Sequence, residues 1–202
     1  MRGEMRAGGE AMAIAVRVAR AATGRQMIAF CGYHGWQDWY IGATTRNLGV
    51  PEDVRALTHK LPFNDIEAVK KTVAAHKGEI AALIVEPISG IEPVKGYLEA
   101  LRTLTRQEGI VLVFDEVITG FRAHMGGAQA LYGVTPDLAA FGKGMANGMP
   151  LSAVVGRADI MSLMKDIFYS GTFGGEALSL AAAKATIDKM KRVAAYAKVV
   201  LD

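Results

Sequence analysis

The sequence is short of cysteine, of charge of one sign and of long apolar runs, and each shortage removes a class of function. Cys31 is the only cysteine among 202 residues. That rules out an intrachain disulfide and a cysteine-rich zinc site, and agrees with a reduced, cytoplasmic setting. Lys and Arg total 23 against 20 Asp and Glu, a net charge of +3, with no basic run. So balanced a chain carries no electrostatic footprint for nucleic acid. The longest apolar runs fall short of the roughly 20 residues that span a bilayer, so no membrane partner is expected. The opening MRGEMRAGGEAM lacks the apolar core of a signal peptide. HExxH and EF-hand patterns are missing, and no metal site is expected. Gly142-Lys143 lacks the upstream glycine and the downstream Ser/Thr of a P-loop, and GKGMANG has the wrong glycine spacing for a dinucleotide fingerprint. Ser162-Leu163-Met164-Lys165 matches the S-x-x-K of serine acyl-enzymes without their companion motifs.

What remains is the pattern of a packed α/β protein. Hydrophobic residues make up 51% of the chain and charged residues 21%, enough for one sizeable core. Residues 9–22, GEAMAIAVRVARAA, read as a helix, and MIAFCG (27–32) as a short strand. YHGWQDWYIGATTRNLGVPED (33–53) reads mostly as loop, punctuated by Gly and Pro. Asn64 or Asp65 caps a helix over IEAVKKTVAAH that stops at Gly78. IAALIVEP (80–87) is a buried strand, YLEALRTLTRQEG (97–109) an amphipathic helix closed by Gly109, and IVLVFDEV (110–117) a second near-continuous apolar strand. DLAAFGK (137–143) and LSAVVG (151–156) add two strands, and a long closing helix begins near Gly175 and runs to about residue 201. This alternation, with uninterrupted apolar strands, predicts a mostly parallel sheet covered on both faces, a three-layer α/β/α sandwich.

Open α/β sheets bind ligands beyond the carboxyl ends of their strands. Three polar groups fall there: Tyr33-His34-Gly35, Asp115-Glu116 and Lys143. A buried carboxylate without a partner is costly. Asp115 suits the counter-charge of a cation held in a pocket, and Glu116 is read as structural. Lys143 lies between Gly142 and Gly144, which admit a bulky ligand. A lysine withdrawn from water becomes an amine nucleophile or a Schiff-base former. An acid-paired pyridinium and a Schiff-base lysine are the two protein groups that pyridoxal 5'-phosphate (PLP) requires. Trp36 and Trp39 are read as packing or interface aromatics, and Glu86 as a support from a strand end.

FDEVITGFR followed by PDLAAFGKGMANGMPLSAVVG resembles the signature of class III aminotransferases of fold type I. GGEAMAIAVRVARAATGR is similar to the phosphate-cradle helix of that family, and FCGYHGW to the segment whose aromatic residue covers the cofactor ring. GEIAALIVEP and SGTFGGEALSLAAA follow in order. Within the class, the chain is most similar to the subgroup like glutamate-1-semialdehyde 2,1-aminomutase. The resemblance implies the large, cofactor-binding domain of fold type I PLP-dependent transferases over residues 1–202. It implies catalytic roles for Lys143, the Schiff-base and proton-shuttling lysine, and for Asp115, the partner of the ring nitrogen. It implies cofactor-binding roles for Val117 and Tyr33 on the two ring faces, for His34 beside Tyr33, and for Gly8 and Gly9, whose backbone N–H groups receive phosphate at a helix start. Thr172 matches a residue that reaches the phosphate of the neighbouring subunit, which implies a homodimer with a shared active site.

The substrates implied are a small-molecule amino donor and a carbonyl acceptor. Three alternatives stand beside general transamination: the aminomutase reaction, in which the amine returns to a neighbouring carbon of the same molecule; transfer to a keto-sugar or other secondary metabolite; and a truncated, weakly catalytic piece that dimerises or binds. The phosphate turn, usually Gly-Ser/Thr-Glu-Ala, is Gly8-Gly9-Glu10-Ala11 here. One hydroxyl is lost, and the backbone amides and Thr172 are expected to carry more of the phosphate. Family chains are also longer at both ends. The sequence is therefore read as partial, without an amino-terminal segment that helps recognise substrate and without a smaller carboxyl-terminal domain.

Overall fold

The apolar strands pair edge to edge, so that their backbone groups are satisfied while both faces are buried. The computed structural model describes residues 3–5 and 7–193. In chain order its elements are β1 (Gly3–Met5), α1 (Gly8–Thr23), β2 (Met27–Cys31), α2 (Asp38–Ile41), α3 (Glu52–Arg55), β3 (Thr58–Lys60), α4 (Ile66–Ala75) and β4 (Ile80–Val85). There follow α5 (Tyr97–Glu108), β5 (Val111–Glu116), α6 (Gly127–Tyr132), β6 (Leu138–Phe141), β7 (Ser152–Gly156), α7 (Ala158–Ser162) and α8 (Ala177–Val193). Among the described residues the strands form one seven-stranded sheet in the order β1-β7-β6-β5-β4-β2-β3. The run from β3 to β6 is parallel, while β7 is antiparallel to β6 and β1 to β7.

Side-chain alternation explains the layers. Ile28, Phe30, Ile84 and Val113 point to the face covered by α1 and α7, where Met12, Ala15, Val16, Ala19, Ile160 and Met161 meet them. Ala29, Cys31, Leu83, Leu112 and Phe114 point to the other face, against Val69 and Val73 of α4 and Leu98 and Leu101 of α5. All six residues of β4 are buried, and each fully buried Val, Leu or Ile side chain stabilises by about 1.5–3 kcal/mol. The expected α/β/α sandwich is found.

Local chemistry sets the element ends. Asp65 Oδ1 accepts from the Ala68 N–H at 2.9 Å and caps α4. Gly24 closes α1 with its N–H on the Arg20 carbonyl at 2.9 Å. Asp137, buried at the start of β6, accepts from the Leu112 N–H and from Arg102 and Arg157, which ties α5 and the end of β7 to the sheet.

The differences from the sequence reading are short elements. β1 and β3 have three residues each, and α2 and α3 four each, too few for a periodic signal. The strand expected over 137–143 stops at Phe141, and Lys143 begins a 3-10 turn over Lys143–Met145. The last part of the closing helix, 194–201, lies outside the described residues. Among the described residues no helix is long and apolar enough to cross a membrane.

Candidate active site

Strand alternation separates the two carboxylates that end β5. Asp115 follows Val111 and Val113 toward α1, whereas Glu116 follows Leu112 and Phe114 to the opposite face. Asp115 is buried; its Oδ2 lies 2.8 Å from His34 Nδ1, and its Oδ1 accepts from the Val117 N–H at 3.1 Å. His34 Nε2 donates to the Cys31 carbonyl at 3.1 Å. A carbonyl only accepts, so Nε2 carries a proton. Trp39 stacks on His34 at 6.2 Å, while Phe30 and Tyr40 meet it edge-on at 5.7 and 5.6 Å. This aromatic cage fixes the imidazole that backs Asp115.

Glu116 is fully buried, and among the described residues it has no cation. It accepts instead from the N–H groups of Ala128 and Gln129, each at 2.8 Å, and from the Thr119 hydroxyl. Burial pushes its pKa up, and these hydrogen bonds, the Thr119 hydroxyl foremost, pull it partly back. Gly127 permits the arrangement: its φ is +77°, and a Cβ there would lie 2.6 Å from the Glu116 carboxyl. Glu116 anchors the loop after β5 and takes no part in the cavity.

That cavity, of about 300 Å³, opens at the carboxyl ends of β2, β4, β5 and β6. Of the eight positions singled out in the sequence, Gly8, Gly9, Tyr33, His34, Asp115, Val117 and Lys143 line it together, and Thr172 does not. Thr172 is exposed in the turn before α8. Lys143 sits at φ +32°, a backbone region that costs a non-glycine residue about 1–3 kcal/mol and recurs at functional sites. The sequence reading took this lysine to be withdrawn from water; its side chain is exposed, because the cavity is open on that side. Glu86 Oε2 accepts from the Tyr33 N–H at 2.9 Å and the Ser89 hydroxyl at 3.1 Å, fixing the turn that carries the Tyr33 ring. Tyr33 is 60% exposed and Trp36 76% exposed at the rim, whereas Trp39 is buried.

The first turn of α1 supplies the remaining wall. The Ala7 carbonyl accepts from Glu10 and Ala11, and the Ala7 N–H donates to Glu10 Oε2 at 3.2 Å. Among the described residues no acceptor takes the N–H of Gly8 or Gly9. These free donors at the positive end of a helix favour an anion. The cavity can therefore hold an anion at α1 and a cationic ring nitrogen against Asp115. Tyr33, Val117 and Lys143 line the same cavity between these two ends. Gln37 and Ile118 also line it; neither carries a local signal, since only the approach of the segments after β2 and after β5 to the start of α1 brings them there. Among the described residues no group of three or more His, Cys, Asp or Glu is placed to hold a metal.

The chain resembles known proteins in both sequence and fold. The family model described as aminotransferase class-III matches residues 4–199. The chain is 44% identical to a glutamate-1-semialdehyde 2,1-aminomutase of Methanocaldococcus jannaschii, over 96% of this chain and 51% of the relative. It is 41% identical to a 3-aminobutyryl-CoA aminotransferase of Cloacimonas acidaminovorans, over 93% of this chain and 46% of the relative. A solved transaminase with PLP bound superposes with a TM-score of 0.87 at 31% identity, over 94% of this chain and 49% of that one. The chain spans about half the length of the curated relatives it matches.

Proposed function

Because this chain belongs to the class III aminotransferase family, we propose that it is the PLP-binding large domain of an enzyme that moves an amino group from an amine donor to a keto or aldehyde acceptor. The observation that carries the reading is the meeting of Lys143, Asp115 and the start of α1 around one cavity. The residues present suit the cofactor: unpaired N–H donors at Gly8 and Gly9 for its phosphate, and a buried acid for its ring nitrogen. When bound, PLP supplies an electron sink beside the carbon that carries the amine.

The chain's own groups do the rest. Gly8 and Gly9 bind the phosphate through backbone N–H groups. Asp115, kept in place by His34 and the Val117 N–H, holds negative charge toward the ring nitrogen and keeps it protonated. Tyr33 and Val117 orient the ring from its two faces. The Lys143 amine would hold the carbonyl end of the cofactor and, when free of it, would move a proton to and from the carbon that carries the amine. Shielding that carbon from water falls to walls beyond this cavity, consistent with the exposure of Lys143.

A homodimer belongs to the same proposal. Thr172 lies outside its own chain's cavity, and Trp36, Ile118 and Phe173 leave large apolar side chains exposed. A second reading, the intramolecular aminomutase reaction, is favoured by the Methanocaldococcus relative.

Incubation of the purified chain with PLP should produce a visible absorbance band, and borohydride reduction should fix a pyridoxyl label on Lys143. Lys143→Ala should keep its circular dichroism and lose both band and label. An unchanged band in that variant overturns the assignment. A wild-type chain with no band supports the non-catalytic alternative. Assays with glutamate-1-semialdehyde against a panel of amine donors then separate mutase from transaminase.

A further inference from the structure

Among the described residues, Gln37 is the one cavity-lining residue with a buried side-chain polar atom that has no partner. Its Oε1 is buried without a partner, and among the described residues its Nε2 meets no acceptor either. A buried oxygen left without a donor is unfavourable, and this half-buried side chain lines the cavity, where a ligand would supply its partner. Its position is specific. A Cβ built on Gly9 would lie 2.7 Å from Gln37 Oε1 and 2.8 Å from Nε2, and one on Gly35 would lie 2.6 Å from Oε1. The carboxamide therefore fills the space into which a side chain at Gly9 would project, directly over the first turn of α1.

At Gly35 the packing is too close for anything larger than glycine, since its Cβ would come within 2.9 Å of the Gly9 Cα, whereas at Gly9 it is the Gln37 side chain alone that a Cβ would meet. The Gln37 backbone has a separate task, since its carbonyl accepts from Tyr40 and Ile41 at 2.9 and 3.0 Å and starts α2. The side chain is thus free of structural duty.

We propose that the Gln37 carboxamide is a phosphate ligand of this site, donating from Nε2 to the anion held by the Gly8 and Gly9 N–H groups. It stands in for the side-chain donor that Gly9 cannot supply. A carboxamide presents its donor or its acceptor by rotation about its last torsion, so the unpartnered end can turn its N–H2 to an arriving anion. The inference deepens the amino-transfer reading and rests on it, since the phosphate concerned is that of PLP.

The test compares affinities for PLP and for pyridoxal, which has the same ring without phosphate, measured by absorbance and intrinsic fluorescence. Gln37→Ala should weaken PLP binding by roughly 10- to 100-fold, the range of one hydrogen bond to a charged group, and leave pyridoxal binding unchanged. Gln37→Glu, nearly the same shape with no donor, should weaken PLP at least as much. Gly9→Ser combined with Gln37→Ala returns a hydroxyl to the emptied space and should recover most of the loss. A Gln37→Ala chain with wild-type PLP affinity, or one in which PLP and pyridoxal affinities fall together, overturns the inference alone. A wild-type chain that binds neither compound overturns the amino-transfer reading and this inference with it.

Discussion

Asp115 and Glu116 are neighbours on β5, yet they meet different solutions to the same physical problem, the burial of a carboxylate. Asp115 is held by an imidazole and one backbone N–H. If it faces the ring nitrogen as proposed, Asp115→Ala should weaken PLP retention and slow loss of the substrate proton by about 10²–10³-fold. Single-turnover rates near the wild-type value would remove Asp115 from that role. Glu116 is held by donors without charge, and its pKa is raised by burial. The native chain then keeps this proton to higher pH than the unfolded chain does. The contribution of Glu116 to stability therefore falls as pH rises from the ordinary glutamate value through the raised one. Glu116→Gln should remove that slope. It should also cost about 1–3 kcal/mol, because an N–H2 then faces the N–H donors of Ala128 or Gln129. Denaturant titrations between about pH 4 and pH 8 read both effects; identical pH dependence in the two chains sinks the argument.

At the scale of elements, α1 joins fold and site. Its buried face, Ala11, Met12, Ala15, Val16 and Ala19, packs on the sheet, and that packing is what points its free N–H groups at the cavity. Gly8 stands where the helix start touches Val117: a Cβ there would lie 2.7 Å from Val117 Cγ1. Gly8→Ala should leave helix content intact, since alanine is the better helix former. The displaced Val117 should nevertheless lower PLP affinity severalfold, on the order of 1 kcal/mol of overpacking. Equal affinities, measured beside circular dichroism, would show that the contact is slack. Helix α1 and strands β2, β4 and β5 were readable to within a residue or two. Their periods are long enough to register, and turn chemistry marks their ends, as Gly24 does for α1. The strand expected to reach Lys143 was too long by two residues, because the glycine-flanked turn that places this lysine has no periodic signature.

The whole molecule is a sheet whose parallel strands end on one rim, so residues far apart in sequence share a cavity there. Thr172 is the exception, exposed and away from it. If a second copy of the chain completes the site, Thr172→Ala should weaken PLP binding about tenfold, one charge-assisted hydrogen bond. The loss should appear only at protein concentrations where the chain sediments as a dimer. Full affinity of the variant in the dimer would count against a shared site.

Order along the chain was enough to determine the α/β/α layers, the strand-end location of Tyr33, Asp115 and Lys143, and the resemblance to a PLP-dependent family. Apolar period and glycine punctuation are local properties, and they survive in a one-dimensional string. Only the tertiary structure decided that Asp115 is backed by His34, that Glu116 faces the other side, that Lys143 is exposed, and that Gln37 lies over Gly9. Those are distances between segments brought together by burial, and no spacing within a segment encodes them.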